Sequence, residues 1–596
     1  MPKRSLLLAV AISVITALLC TSAHAMQPPA RNKNMDGVNP NEVCKGYRVD
    51  SKQTIRFNAN EKKLICGDPE AGSWKDIPQF EAEYFIGVFL QDRGYFFPTY
   101  TKDGDTVVIH PGETTKIESI KVEGSPPEFF DMTRRRQIKG QVLTPAILNT
   151  LQNWIVTALQ TNGYACPMVH LKAYPQTGEV IATIEPGNFQ RIAEVIEEPV
   201  EGLRPGMLKR YRAFRIGDPY NVQNLKLTSS RITTIDGILQ SSYFTTKCTD
   251  DGAVLTQKSL AGPKRLVNIG LGFSTEDYLI GKLRFKWTRM DSKGSSIELS
   301  ARGSYRKQWL DAAGYLYPLS EPSRWYLYPF ATTRRYDEKQ YEYTMIGTGF
   351  PAALTWETQD VGYDLKFGPG YTFISTHRGA ARGYTHFVMG SIRLNIISHD
   401  YLYRVEDPQQ GFSMAFRADF ASDKLGSSVT AQRLRFSGQS LWNIAKFEPP
   451  LFIAALRWIT NMTLTNTGAT AFPRLPPPFF TYFGGSTSLR GFSRRQLPNA
   501  NRGALTGLYV GGEARLANAL PLNFQPLVFF DIGVMGQKSM DLDFPVYASP
   551  GFGLRWPSFV GVFRVTLGRG FLINNKNPAN NNLEHWQFFF SYGEEF

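Results

Sequence analysis

The chain has 596 residues, a formal net charge of +14 and 13% aromatic residues, among them 41 Phe and 27 Tyr, beside 52 Gly. Beyond the first 25 residues no run of 18 apolar residues occurs, so the sequence predicts no membrane-spanning helix there. The cations form no compact Lys/Arg run of the kind that indicates a nucleic-acid partner. Two classes of protein therefore remain as candidates, a soluble secreted protein and a transmembrane β-barrel. The aromatic content favours the barrel, because barrels carry aromatic girdles at both membrane interfaces.

Residues 1–25 are predicted to be a secretory signal peptide. A short basic stretch precedes an apolar run from Leu6 to Leu19, and a small-x-small cleavage pattern ends at Ala25. The run is shorter than the ~20 residues that a spanning helix needs, which disfavours the alternative of a membrane anchor. The polar leader at residues 26–40 is expected to be flexible in the mature protein.

A threefold pattern follows, in which each unit has a helical segment, a turn containing tyrosine and then strands. The turns are centred on Tyr95, Tyr164 and Tyr243. Pro111-Gly112 and Pro186-Gly187 end the first two units 75 residues apart, and a fixed period indicates repeated structural units. One irregular domain is the alternative. The predicted mixed α+β modules span residues 41–113, 114–187 and 188–262.

Four cysteines of the mature chain lie within these modules, at Cys44, Cys66, Cys166 and Cys248. In an oxidising compartment four cysteines allow three pairings. Proximity within and between the modules favours Cys44 with Cys66 and Cys166 with Cys248. Free buried thiols are the alternative.

From residue 263 to 596 short alternating segments dominate. In Lys282–Trp287 and Ser296–Arg302, polar or charged side chains on one face alternate with apolar side chains on the other, and turn residues such as Asp291–Gly294 separate such segments. This alternation is what a wall between lipid and water requires, and at about 20 residues per strand and connection the region suits roughly 16 antiparallel strands. A large soluble array of β-sandwiches is the alternative.

The final strand favours the barrel. Its alternation places four aromatic residues on one face, namely Trp586, Phe588, Phe590 and Tyr592. The aromatic Phe596 closes the sequence, and Gly593 lacks a side chain, so the terminal strand is predicted to bend and to pair weakly. The expected partner is the first barrel strand, near Leu266 to Phe273, which gives the predicted barrel an imperfect seam.

The most informative motif is the segment Gly484–Phe492, which contains Leu489-Arg490-Gly491-Phe492. Two predicted consecutive strands follow, with Glu513 in a Gly-Gly-x-x-Arg pattern and Asp531 before Gly533. Both carboxylates are predicted to point into the lumen, where a loop carrying Arg490 would meet them. Arginine stays protonated and offers a planar fork of donors, so a carboxylate is its natural partner.

This motif resembles the [VIL]-R-G-[FY] motif in the sixth extracellular loop of the outer-membrane assembly and transport barrels, the superfamily of BamA, TamA and the two-partner secretion transporters. The modules resemble POTRA domains, and three of them before a 16-stranded barrel resemble the TamA arrangement. The resemblance implies that Arg490 is the loop arginine and Gly491 permits a tight turn. It also implies that Phe492 packs the tip and that Glu513 and Asp531 are the acidic partners. Leu489 stands where valine is commoner.

The resemblance implies a bacterial outer-membrane factor that inserts or translocates autotransporter-type clients through its seam. Its periplasmic modules would engage clients or a TamB-like inner-membrane-anchored partner, and the barrel would lie in the lipid bilayer. A passive channel and a transporter for one dedicated exoprotein are the alternatives. The sequence has no P-loop, GxSxG or HExxH motif and no metal-ligand spacing among its seven His, so no catalytic residue, metal or cofactor is predicted.

Overall fold

The computed structural model describes residues 42–51, 54–68, 77–124, 138–320, 323–445, 449–465, 474–498, 502–558, 561–574 and 583–592. The predicted signal peptide, the leader, Gly593 and Phe596 lie outside the described residues. The chain divides into two compact units. The first comprises residues 1–119, 138–150 and 173–180, and the second comprises 120–137, 151–172 and 181–596.

The first unit contains a four-stranded sheet in the order β1-β2-β4-β3, with two helices. The elements are β1 Glu42–Cys44, β2 Tyr47–Val49, α1 Ala59–Cys66, α2 Gln79–Gln91, β3 Thr99–Asp103 and β4 Thr106–His110. Asn58 begins α1 because its side chain accepts a hydrogen bond from the Glu61 amide and the Glu61 side chain returns one to Asn58, which is a capping box. Cys44 and Cys66 form a disulfide, which ties α1 to the sheet.

Two three-stranded sheets follow, in the orders β5-β7-β6 and β8-β10-β9. Their elements are β5 Ser119–Glu123, α3 Pro145–Thr161, β6 Met168–Tyr174, β7 Glu179–Glu185, β8 Ile192–Glu197, α4 Val222–Ser230, β9 Ser241–Thr249 and β10 Gly252–Leu260, with a 3-10 turn at Met207–Tyr211 and a π turn at Arg231–Ile235. Cys166 and Cys248 form the second disulfide. The module boundaries drawn from the sequence fall in the connections between the three sheets, whereas the boundary between the compact units passes through the second module.

The rest of the chain closes into one antiparallel barrel. Its strands are β11 Arg265–Ser274, β12 Tyr278–Trp287, β13 Ser296–Gly303, β14 Lys307–Tyr315, β15 Trp325–Leu327, β16 Phe330–Asp337, β17 Glu342–Gly349, β18 Ala352–Glu357, β19 Val361–Arg378, β20 Gly383–Ser398, β21 Gly411–Ala421, β22 Ala431–Ile444, β23 Phe452–Thr465, β24 Thr506–Leu516, β25 Gln525–Gly536, β26 Asp543–Ser558, β27 Gly561–Arg569, β28 Phe571–Ile573 and β29 Trp586–Tyr592, with a short helix α5 at His399–Tyr403.

Three of these positions around the barrel are interrupted strands. β15 and β16 are two halves of one strand, as are β17 with β18 and β27 with β28, because each pair of halves faces the same neighbour. The described residues therefore form sixteen strands around the barrel, and the predicted fold class, a 16-stranded transmembrane antiparallel β-barrel, is confirmed.

The two faces of the wall differ as the alternation predicts. In β25, Val528 and Phe530 are 60% and 52% exposed. Phe529 and Asp531, which alternate with them along the strand, are 5% and 0% exposed. Large exposed apolar side chains in regular alternation are unfavourable in water and are stabilised by lipid. Within the described part of the chain, no helix is both long and apolar enough to cross a membrane.

We expect Phe530→Arg to lower the free energy of unfolding by about 2–4 kcal/mol, because an arginine on the lipid face of a barrel costs that much near the bilayer midplane. Denaturant titration of the barrel folded into lipid vesicles measures the change. Met540→Arg is the control, since Met540 is 72% exposed in the connection between β25 and β26. Equal losses in the two variants would contradict a lipid-facing position for Phe530.

Candidate functional site

The segment between β23 and β24 contains the motif predicted from the sequence. Its described part, residues 474–498, contacts side chains that point inward from the barrel wall, and several of its residues line the cavity inside the barrel. Arg490 is 2% exposed and is among the largest fully buried side chains of the described residues. The motif is therefore a luminal feature and not a surface turn.

Arg490 binds Asp531 of β25 through three donors. Its Nε and Nη2 lie 2.9 and 2.8 Å from the two carboxylate oxygens of Asp531, and its backbone amide donates to the same carboxylate at 3.0 Å. Such a two-pronged pair is stronger and more specific in geometry than a single charged hydrogen bond. The guanidinium also lies over the Phe529 ring, with 3.6 Å between its central carbon and the ring centroid. Phe529 thus fixes the plane of the fork.

Glu513 of β24 is the second carboxylate. It accepts a hydrogen bond from Arg490 Nη1 at 2.6 Å and further ones from Arg515 at 2.6 Å and Arg564 at 2.5 Å. Tyr509 donates its hydroxyl to Asp531 at 3.0 Å. The two acidic residues predicted as partners of Arg490 are the two that the structure places on it, and the buried charges are compensated by several ionic hydrogen bonds.

Three glycines of the wall make room for the loop, namely Gly533, Gly568 and Gly570. A Cβ on Gly568 would lie 2.8 Å from the Arg490 carbonyl oxygen, and one on Gly570 would lie 2.7 Å from the Gly491 carbonyl oxygen. A Cβ on Gly533 would lie 2.9 Å from the Leu489 side chain. Gly511 instead makes room for the Asp531 carboxylate, which a Cβ there would meet at 2.5 Å.

Gly491 lies within a tight turn, in which the Phe492 amide donates to the Leu489 carbonyl at 3.0 Å. Its φ is not in the left-handed region, and a Cβ there would lie 2.4 Å from the Arg569 carbonyl carbon and the Gly570 nitrogen. Gly491 is thus needed for close approach to the break between β27 and β28. Leu489 does adopt a positive φ of 35°, which a β-branched residue such as valine would tolerate less well.

The two apolar residues of the motif anchor the loop. Leu489 and Phe492 are each 0% exposed and belong to one apolar cluster inside the barrel. The Phe492 ring packs edge-on against Tyr547 of β26, with 5.7 Å between the centroids. Burial of two such side chains contributes about 1.5–3 kcal/mol each, so packing and ion pairing hold the loop together.

A second ionic cluster holds the far side of the loop. Arg494 lies 2.7 Å from Asp277, in the turn between β11 and β12, and 2.7 Å from Glu338, in the turn between β16 and β17. Ser486 donates to Glu276 beside Asp277. These residues were not predicted from the sequence, because no pattern links Arg494 to acids 217 and 156 residues away.

The seam between the first and the last barrel strand is described up to Tyr592, because residues 593–596 lie outside the described residues. β11 pairs with β12 along its whole length, from Arg265 to Ser274. With β29, only Phe273 and Ser274 of β11 have registered partners, which are Tyr592 and Ser591. The Thr275 amide adds one hydrogen bond to the Phe590 carbonyl at 2.9 Å.

The aromatic residues of β29 lie on both faces of the strand, because Phe589 alternates with the four aromatic residues predicted to share one face. Trp586 and Phe588 are 55% and 56% exposed on the outer face, and Phe589 is 6% exposed on the inner one. Phe590 contacts Phe273 across the seam, with 6.0 Å between ring centroids, and Tyr592 stacks on Phe563 of β27 at 4.5 Å. Ring contacts thus supply part of the cohesion at the seam.

No group of His, Cys, Asp and Glu with the geometry of a metal site occurs among the residues that the structure describes. The contacts of Arg490, Glu513 and Asp531 are saturated by one another and by Arg515, Arg564 and Tyr509. The arrangement can hold a loop in a fixed position.

Comparison with known proteins agrees with this architecture. Residues 269–596, more than half of the chain, match the family model described as the Omp85 superfamily domain. The structure is similar to BamA from Haemophilus ducreyi lacking POTRA domains 1–3, at 15% identity and a TM-score of 0.48, with 80% of this chain and 99% of that chain covered. It is also similar to CdiB from Acinetobacter baumannii (12% identity, 80% and 89% covered, TM-score 0.41) and CdiB from Escherichia coli (13%, 81% and 90%, 0.42).

We expect Arg490→Met to lower the free energy of unfolding by about 3–5 kcal/mol, because it leaves the buried Asp531 carboxylate without its cation. Adding Asp531→Asn should restore part of the loss, since the remaining group is then neutral. A double-mutant cycle by denaturant titration measures the coupling. Strictly additive effects of the two substitutions would contradict a direct pair.

We expect Gly568→Ala to displace the loop, because the new methyl group would lie 2.8 Å from the Arg490 carbonyl oxygen. Overpacking should lower the free energy of unfolding by about 1–3 kcal/mol, so the barrel should unfold at a temperature several degrees lower. The change from folded to unfolded gel mobility on heating measures this temperature. Gly390→Ala is the matched control, since no atom lies within 4 Å of a Cβ there. The prediction fails if both variants melt like the wild type.

Proposed function

The chain belongs to the Omp85 superfamily of outer-membrane β-barrel proteins, and on this premise we propose that it is a TamA-like assembly factor. In this proposal the barrel inserts or translocates autotransporter-type outer-membrane clients through the seam between β11 and β29. The single observation that carries the proposal is the position of the loop held by Arg490, which contacts β29 through Ser493 and the turn between β11 and β12 through Arg494. The protein then acts on folding clients in the outer membrane and catalyses no covalent reaction.

The physical reason lies in the hydrogen bonds of an edge strand. A closed barrel is stable because each strand has two partners, and a strand whose main chain is only partly paired can accept another strand. β11 pairs with β12 from Arg265 to Ser274, and it meets β29 at Phe273 and Ser274. A client strand added to that edge would gain main-chain hydrogen bonds by augmentation.

We propose that the three modules are periplasmic POTRA domains. In the first and the third module, the last strand pairs in parallel with an earlier one, β4 with β2 and β10 with β8, and in antiparallel with another on its other side. The outer strands of each sheet, such as β1 and β3, have one strand neighbour in that sheet among the described residues. Those edges are suited to receive an unfolded client or a TamB-like periplasmic partner in the same way.

A passive channel is the alternative from another functional class. Residues 474–498 enter the barrel and are fixed there by Arg490 and by Arg494, which narrows any water path. An aqueous pore has no need of three modules before the barrel. These features favour the assembly role, and a transporter dedicated to one exoprotein would use the same seam.

A reversible disulfide across the seam tests the proposal. The double variant Ser274→Cys/Ser591→Cys places two thiols at a registered pair of β11 and β29. We expect oxidation to stop the assembly of an autotransporter client in proteoliposomes and reduction to restore it. The matched control is Ala415→Cys/Ser437→Cys, a registered pair of β21 and β22 far from the seam.

The wild type assayed with and without reductant controls for the two native disulfides. Full client assembly by the oxidised seam variant would overturn the seam proposal. If wild-type protein assembles no client but gives a large and steady conductance, the passive channel is favoured instead.

A further inference from the structure

A row of cations crosses four adjacent strands on the inner wall. Lys366 of β19 stands opposite Arg393 of β20, Arg393 opposite Arg417 of β21, and Arg417 opposite Arg435 of β22. Residues directly opposite in neighbouring strands share a face and lie about 4.5–5.5 Å apart at Cβ, and like charges in such positions are destabilising. The barrel keeps four of them in line at a cost to its own stability.

The carboxylates near this row do not neutralise it. Asp419 lies 2.8 Å from Arg417 and 2.6 Å from Arg433, so one carboxylate forms salt bridges with two arginines. Lys366 has Asp364 at 2.5 Å. No carboxylate of the described residues lies within salt-bridge distance of Arg393 or Arg435, and the Nε of Arg393 is buried without a hydrogen-bond partner there.

The arginines of the row face a cavity of about 520 Å³ inside the barrel. Among the described residues, six arginines and three carboxylates line it: Arg334, Arg393, Arg417, Arg433, Arg435 and Arg495 against Glu298, Asp311 and Asp419. Glu298 pairs with Arg284 outside the lining at 2.7 Å, and Arg495 pairs with Glu338 outside the lining at 3.3 Å, so these two pairs leave the excess of positive charge unchanged. The Arg417 side chain is 36% exposed, which means that solvent reaches the row.

We propose that this cavity is a binding site for a small soluble oxyanion of the phosphate class, held between Arg393, Arg417 and Arg435. Arginine forks match the oxygen geometry of phosphate and bind it in pairs. Tyr336 and Tyr343 also line the cavity and supply further polar groups. The anion would neutralise the repulsion within the row. This inference is independent of the seam and of the proposed assembly role.

The position of the row sets the chemical class of the ligand. The row is on the inner face of the wall, whereas the lipid-facing side chains lie on the other face, so a free anion and not a bilayer headgroup reaches it. Opposed like charges favour a polyvalent anion over chloride, because each further negative charge gains attraction to the whole row. Inorganic pyrophosphate is therefore the sharpest probe.

Calorimetric titration of pyrophosphate into the purified full chain in nonionic detergent at low ionic strength tests the proposal. We expect saturable binding to one site, weakened by added NaCl. Arg393→Gln and Arg435→Gln should each lower the affinity about tenfold or more, since each variant loses a charged hydrogen bond to the anion. Neither substitution leaves a paired carboxylate behind, so the thermal unfolding temperature should stay equal or rise.

Arg335→Gln is the matched control, because Arg335 follows Arg334 on β16 with the opposite facing and pairs with Glu342 at 2.9 Å. It should keep wild-type affinity. Absence of saturable binding by the wild type would overturn the proposal, and so would equal affinity in all three variants. Loss of binding together with a large fall in unfolding temperature in both row variants would reduce the row to a structural role and would also overturn it.

Discussion

The buried contact between Arg490 and the carboxylates of Asp531 and Glu513 is the interaction on which the interior of this barrel depends. An arginine that is 2% exposed is tolerable only with full compensation, and Asp531 alone accepts three hydrogen bonds from it. The position of the loop follows from that contact. The apolar packing of Leu489 and Phe492 and the close approach of Gly491 to β27 require the loop to lie where Arg490 fixes it, and so do the glycines of β25 and β27 that face the loop.

The fixed loop contacts the barrel on both sides of the seam between β11 and β29. On one side of the seam, Gly491 packs against the end of β27 and Ser493 lies 3.1 Å from Gln587 of β29. On the other side, Arg494 holds Asp277 in the turn that joins β11 to β12. The loop thus contacts the strands on both sides of the seam from within the barrel, so these contacts add to the pairing of β11 with β29.

Sequence reasoning predicted the parts of this structure that depend on local pattern. The alternation of polar and apolar residues predicted the barrel, because successive side chains of a strand face water and lipid in turn. The motif around Arg490 predicted Glu513 and Asp531, on the next two strands, as its acidic partners. The structure also forms the favoured disulfides of Cys44 with Cys66 and Cys166 with Cys248. Other parts depend on the register of the strands and on the path of the loop, which cannot be read from a single sequence. A shift of the register by one residue would turn the side chains of Arg393 and its neighbours to the lipid face. The cation row and the Arg494 cluster therefore became visible only in three dimensions.

The departures from local rules lie together in the lumen. An ideal barrel would oppose unlike charges across strands and keep ionic groups out of the core. Here Arg393 and Arg417 stand opposite each other, and Arg490 is buried. The closed barrel of sixteen strands supplies the stability that makes such costs tolerable. Since sequences that specify a fold break local rules mainly where function demands it, the inner wall, and not the outer surface, is where the activity of this protein is to be sought.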